Sequence, residues 1–223
     1  MGRIGDHNIV IASLASGVYG TTSAATTASS LLASFPSIRV SLLVGIGGSI
    51  ARPDEDHDIR LGNVVVSQPS RTMGGVCQYN LIKVKSGDKC ERKGLLGRPP
   101  TVLLNTLSRI QAYHERKDSK GFDNNRLFKA SYDHIPGPDC RDYNTANKVQ
   151  RDTRDDTDPN IHYRTIVSGN TLVKDATARD LIVADIGEDC IYFKIEAAGL
   201  INYFPYLVIR GICDYADTYK NDR

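Results

Sequence analysis

The chain has 223 residues, 40% hydrophobic and 24% charged, a length that suits one α/β domain and a composition that excludes global disorder. It has no run of about 18 apolar residues, so no membrane span is expected, and Met1-Gly2-Arg3-Ile4-Gly5-Asp6 lacks the apolar stretch of a signal peptide. Basic residues exceed acidic ones by 28 − 26 = 2, which gives no electrostatic basis for binding nucleic acid.

Arg3-Ile4-Gly5-Asp6-His7-Asn8 reads as a hairpin turn with nothing before it to pair, entering a buried strand at Asn8-Ile9-Val10-Ile11-Ala12-Ser13-Leu14. Turn chemistry follows at Gly17-Val18-Tyr19-Gly20, then an Ala-rich helix that Thr21 or Thr22 is expected to cap and Phe35-Pro36 to close. Ile38 to Val44 is a second continuous apolar strand, running into a glycine turn at Gly45-Ile46-Gly47-Gly48. Together these form a βαβ unit, and the continuous apolar strands argue for a parallel sheet covered on both faces. Leu61 to Ser67 is a third strand. Residues 99–117 are an amphipathic helix with Pro100 at its start. Residues 133–160 are polar and carry Pro136, Pro138 and Pro159, so they read as a surface excursion within one domain spanning 1–223. Strand signals resume at Tyr163 to Val167. The last third reads as a strand (Cys190 to Ile195), a helix (Glu196 to Phe204) and a strand (Tyr206 to Ile212).

The cysteines, Cys77, Cys90, Cys140, Cys190 and Cys213, are odd in number, widely spaced and without a CxxC pair. They argue against a disulfide framework or a structural zinc site, and for a reduced, cytoplasmic protein. No metal site is expected.

In parallel α/β sheets ligands bind beyond the carboxyl ends of strands. The glycine turns ending in Gly20-Thr21 and at Gly45 to Gly48 would let backbone N–H groups approach an anion or a sugar, though such turns also serve plain strand-to-helix geometry. Neither fits a Walker A loop or GxGxxG. Two acids, Glu196 and Asp214, each close an apolar strand. Singly, Glu196 also reads as a helix N-terminal acid and Asp214 as a cap. As a pair on successive strand ends they point to function, because a carboxylate in apolar surroundings is costly unless bonded or protonated.

Several blocks resemble the nucleoside phosphorylase/nucleosidase superfamily, in the branch found in fungal proteins that is often fused to NACHT or NB-ARC modules and ankyrin or tetratricopeptide repeats. They are Gly17 to Ala25, Val44 to Gly48, Asp58 to Ser67, Gly74-Gly75-Val76, Ser168-Gly169-Asn170, Ile195-Glu196-Ala197-Ala198-Gly199-Leu200, and Ile209 to Asp217, and they occur in the family's order along nearly the whole chain. The resemblance implies a three-layer α/β/α sandwich with a mixed, mostly parallel central sheet. It implies cleavage of the N-glycosidic bond of a purine nucleoside or nucleotide, with no cofactor beyond inorganic phosphate in a phosphorylase. Homo-oligomers are common in this superfamily.

Residue by residue, Glu196 resembles the acid that holds the ribose hydroxyls, and Asp214 the one that protonates the purine ring as it leaves. Gly45, Ile46, Gly47 and Gly48 would line the sugar and nucleophile side, and Gly20 and Thr21 are further expected substrate-binding residues. Asn170 and Leu172 would border the base, with Ile195 where the family has Met. The bond breaks through an oxocarbenium-like sugar, so an acid near the base and a carboxylate on the sugar both assist. The phosphate-binding positions of the phosphorylases hold Leu43 and Ile46, which favours hydrolysis.

The chain departs from the family at Lys194, where an acid is usual. The family's first strand and helix, which carry a glutamate that positions water in the hydrolases, are expected to lie before Met1, and most of the final helix beyond Arg223. The alternative reading is therefore a catalytically inactive nucleoside-binding or interaction domain within an immune-receptor-like protein.

Overall fold

A computed structural model describes the chain except residues 19, 56, 71–72, 81, 85–89, 93–95, 115–126, 130–144, 152–158, 170, 172, 187–189, 195–205 and 218–223. Most of the 133–160 excursion and the expected helix from Glu196 to Phe204 fall outside the described residues.

The elements are β1 (Gly2–Ile4), β2 (His7–Ile9), α1 (Thr21–Ser34), β3 (Leu42–Ser49), β4 (Val64–Ser67), β5 (Val76–Gln78), β6 (Ile82–Val84), β7 (Cys90–Arg92), α2 (Thr101–His114), β8 (Ile161–Ser168), α3 (Ala176–Ile186), β9 (Cys190–Lys194) and β10 (Leu207–Asp214). Six strands form the main sheet in the order β4-β10-β3-β9-β8-β5. Pairings β3–β10, β4–β8, β5–β8 and β8–β9 are parallel, whereas β4–β10 and β3–β9 are antiparallel. The sheet is thus mixed and mostly parallel, as expected. The additional β4–β8 pairing closes it on itself, so β4, β10, β3, β9 and β8 enclose a barrel and β5 extends from β8.

Period-two alternation sorts the side chains. Val65, Ile166, Tyr192, Val208 and Ile212 point inward and pack with Ile59, Leu61, Tyr206 and Tyr215. Outside, Leu103 and Leu107 of α2 cover Val64, Val66, Leu207 and Ile209. Val183 and Ile186 of α3 cover Val167, Cys190 and Phe193. Asp175 starts α3, its carboxylate accepting the Ala178 N–H at 2.6 Å.

The sequence reading needs correction at several points. The run from Asn8 to Leu14 is not a buried strand. Only His7–Ile9 is extended, and it pairs antiparallel with Gly2–Ile4, so the hairpin does have a partner before its turn. Ile11 is 88% exposed. Among the described residues β2 pairs with β1 alone, so no βαβ unit with β3 is seen there. An apolar run becomes a strand only where a neighbouring edge receives its N–H and C=O groups, and among the described residues none does so beyond Ile9. The N-cap of α1 is Gly20, at φ 101°, rather than Thr21 or Thr22.

The strand expected over Ile38–Val44 instead runs over Leu42–Ser49, which places Gly45, Gly47 and Gly48 inside it rather than in a turn. The reason is volume. A Cβ at Gly45 would overlap the Arg210 guanidinium, and one at Gly47 would overlap the Tyr192 hydroxyl. The two glycines leave room for two large side chains that cross the barrel interior.

Arg210 is 2% exposed, and Tyr206 and Tyr215 are buried. Burial pushes both phenols above their ordinary range, against the opposing pull of Arg210 on Tyr206 and of Arg151 on Tyr215. The folded chain therefore keeps phenolic protons that the unfolded chain gives up near pH 10. Stability should be fully present below about pH 10 and fall above it, by up to roughly 1.4 kcal/mol per pH unit for each phenol. Tyr206→Phe is expected to reduce that alkaline slope in urea titrations at several pH values. An unchanged slope would contradict it.

Candidate active site

The strand ends bring a small set of residues together. Asp214 closes β10 and pairs with Gly48 of β3 across a register shift that follows Ile212. Gly48 also pairs with Phe193 of β9, Phe193 with Val167 of β8, and Val167 with Cys77 of β5. One transverse row therefore runs Asp214, Gly48, Phe193, Val167, Cys77. Gly48 is buried, and a Cβ there would overlap the Asp214 carboxylate and lie 2.8 Å from both the Ala216 Cβ and its backbone N. Only glycine leaves the carboxylate where it is.

Asp214 is half-buried. Its Oδ1 accepts the Ala216 N–H at 2.9 Å, and the Cys213 thiol lies 3.4 Å from Oδ2. The Oδ1 bond turns the backbone sharply, and Ala216 takes φ 50°, a left-handed conformation uncommon outside glycine. The chain after Asp214 is then held from two sides. Arg179 of α3, 6% exposed, donates from Nη1 to the Tyr215 carbonyl at 2.9 Å and from Nε to Asp180 at 2.8 Å. Arg151 donates from Nη1 to the Tyr215 hydroxyl and to the Ile59 carbonyl, each at 3.2 Å, and its guanidinium carbon sits 5.2 Å from the Tyr215 ring centroid. Asp58 pairs with Arg60 and, at 3.4 Å, with Arg151. The Asp58–Asn63 loop is tied to β10 by Gly62 N–H to Ile212 C=O and Ile212 N–H to Asn63 C=O, both at 2.9 Å. Asn63 Oδ1 lies 3.0 Å from His162 Nε2.

At the end of β8, Tyr79 lies against Gly169, where a Cβ would overlap its ring. Its hydroxyl donates to the Thr171 carbonyl at 2.9 Å, and its ring meets Phe193 edge-on at 6.0 Å. An aromatic wall thus stands beside the Ser168-Gly169 block and near the same transverse row.

Among the expected site residues, Gly48 and Asp214 are in contact. Gly45 and Gly47 lie on the barrel's inner side under Arg210 and Tyr192, whereas Ile46 faces outward and is 65% exposed. Gly20 and Thr21 stand at the start of α1. Glu196, Asn170, Leu172 and Ile195 lie outside the described residues. Tyr79, Arg179 and Arg151 were missed. An arginine in a helix written Ala-Thr-Ala-Arg-Asp gives no sequence signal of burial, and Arg151 sits in a charge-alternating stretch that reads as a solvated face.

No family model matches the chain. Solved structures of similar fold include a putative 5′-methylthioadenosine/S-adenosylhomocysteine nucleosidase of Borrelia burgdorferi bound to adenine, at 16% identity and TM-score 0.57, covering 91% of this chain and 67% of that one. The corresponding nucleosidase of Neisseria meningitidis, in complex with methylthio-immucillin-A, shares 14% identity at TM-score 0.55 and covers 90% of this chain and 66% of its own. A Helicobacter pylori nucleosidase with an Asp-to-Asn substitution holds 5′-methylthioadenosine in its active site, at 14% identity and TM-score 0.52. The chain spans about two thirds of the length of these structures. Its fold is similar to that of these nucleosidases. In sequence the chain is 37% identical over its whole length to a nucleotide-binding leucine-rich repeat (NLR)-like protein of the fungus Hyaloscypha variabilis, spanning 23% of that relative.

Proposed function

We propose that this domain binds a purine nucleoside or nucleotide at the carboxyl ends of β3, β9 and β10 and hydrolyses its N-glycosidic bond. The observation that carries this reading is the transverse row. Gly48 is the shared partner of Asp214 and Phe193, so the two strands that lead to the two acids end beside one strand. Glu196 follows Phe193 by three residues in the sequence, and this reading sets it across that row from Asp214. In this reading Asp214 donates a proton to the departing purine and Glu196 holds the ribose hydroxyls as the sugar gains positive charge. Asn170, Leu172 and Ile195 border the base and C1′ side, and Tyr79 adds the aromatic wall. Leu43 points into the barrel interior and Ile46 outward, so neither offers a phosphate ligand, in keeping with water as the nucleophile. The three-layer arrangement of the superfamily belongs to the same reading, as does service as the effector module of a receptor-like protein.

Chromatography of products from adenosine, inosine, AMP and ATP, with and without phosphate, tests it. Free purine base formed without phosphate is the expected result. Saturable nucleoside binding with no base released would replace hydrolysis by the inactive-sensor reading, which Lys194 in place of an acid favours. Gly48→Ala is expected to cut base release at least roughly tenfold, because its methyl must displace the Asp214 carboxylate from productive geometry. Wild-type rates in that variant would argue against Asp214 as the acid.

A further inference from the structure

Asp214 owes its place to a break in strand alternation. Val208 and Ile212 of β10 point into the barrel, and unbroken alternation would send Asp214 there as well. The pairing with β3 shifts at this point: Ile212 faces Gly47, whereas Asp214 faces Gly48. Cys213 is therefore one extra residue on β10, and it moves the carboxylate to the side of the sheet where a Gly48 Cβ would meet it. Such a bulge must be held at one position, because a slip of one residue would return Asp214 to the interior.

The holding contacts come from the loop before β4. Ile212, the last residue before the shift, is gripped on its other edge. Its N–H donates to the Asn63 carbonyl and its carbonyl accepts the Gly62 N–H, both at 2.9 Å. Asn63 is fully buried, and its side chain is fixed in turn. Its Oδ1 accepts the Arg60 N–H at 3.1 Å and lies 3.0 Å from His162 Nε2 at the start of β8. A backbone N–H can only donate, so that oxygen is an acceptor and His162 donates the second hydrogen bond to it. We propose that Asn63 is a positioning residue: held by Arg60 and His162, it pins Ile212 and so fixes the bulge that turns Asp214 toward the substrate. The effect on rate rests on Asp214 being the acid; the effect on the carboxylate's place does not.

Asn63→Ala, Asn63→Asp and His162→Leu in the full chain test it, read by base release, adenosine calorimetry and amide hydrogen exchange. Asn63→Ala loses the Oδ1 acceptor. Base release at saturating adenosine should fall at least about tenfold while adenosine Kd moves less than about threefold. Asn63→Asp keeps oxygens for both donors and should recover most of the rate. The Ala216 amide, held by Asp214 Oδ1, should exchange at least about tenfold faster in Asn63→Ala, with the Ile166 amide of β8, bonded to the Gly75 carbonyl, unchanged. His162→Leu leaves both Ile212 backbone bonds in place and should show the same pattern at smaller amplitude, so it carries the comparison if the alanine variant does not fold. An Ala216 amide that does not quicken, equal acceleration at Ala216 and Ile166, or an aspartate variant no better than alanine would each overturn the proposal. A parent chain that releases no base would end the hydrolytic reading and leave the exchange comparison to decide this one.

Discussion

Asp214→Asn is expected to lower purine release by about 10²–10⁴-fold, the usual contribution of a general acid, with little change in thermal stability. The asparagine keeps the shape of the side chain and an Oδ1 that still accepts the Ala216 N–H, so the turn held by that 2.9 Å bond survives. It removes the ability to cycle a proton to the leaving base. This separates the two roles the carboxylate can play. A residue that only caps the strand end tolerates asparagine, which caps about as well as aspartate, whereas a proton donor does not. The measurement is initial base release at saturating nucleoside, with melting temperature as control. Unchanged release would leave Asp214 as a cap and remove the acid from the mechanism.

The second large effect is on stability. Arg179→Ala removes a buried guanidinium that satisfies the Tyr215 carbonyl and packs between α3 and the end of β10. The carbonyl is left without its charged donor and a cavity opens where the side chain lay. A loss of about 2–4 kcal/mol is expected. For a chain of this size that lowers the melting temperature by roughly 5–15 °C. Arg179→Lys is expected to recover only part of it, since one ammonium cannot reproduce the fork that serves both Tyr215 and Asp180. Because Tyr215 follows Asp214 directly, base release should fall as well. A melting temperature within a degree of the parent would show that the arginine carries no structural weight.

How much of this was readable beforehand follows from how each residue earns its environment. β8, β9 and β10 are legible because continuous apolar runs such as Leu207-Val208-Ile209 can be satisfied only between two covered faces. α2 is legible from its amphipathic spacing behind Pro100. The glycines of β3 are misleading in isolation. Gly45 and Gly47 look like a turn until Arg210 and Tyr192, more than 140 residues later in the chain, are seen to need the space. The closure of the sheet through β4 and β8 is a long-range pairing, written in no local pattern. α3 goes unread because its buried positions include Arg179, a residue type almost never inside unless paired. The Asn8–Leu14 run fails in the opposite way. Its composition is that of a strand, but a strand needs a neighbour, and composition does not supply one. At the site, the contact between Asp214 and Gly48 is a pairing of distant strands that no local pattern announces. The supporting arginines did not announce themselves, because their partners are backbone carbonyls that carry no sequence signature.

The most direct measurement is a crystal structure of the Asp214→Asn chain with adenosine bound. The account predicts the purine beside residue 214, with a ring nitrogen in hydrogen-bond contact with its side chain, and the ribose hydroxyls on Glu196 across the row that passes through Gly48. Adenosine bound elsewhere, or Glu196 on the far side of the sheet from residue 214, would contradict it.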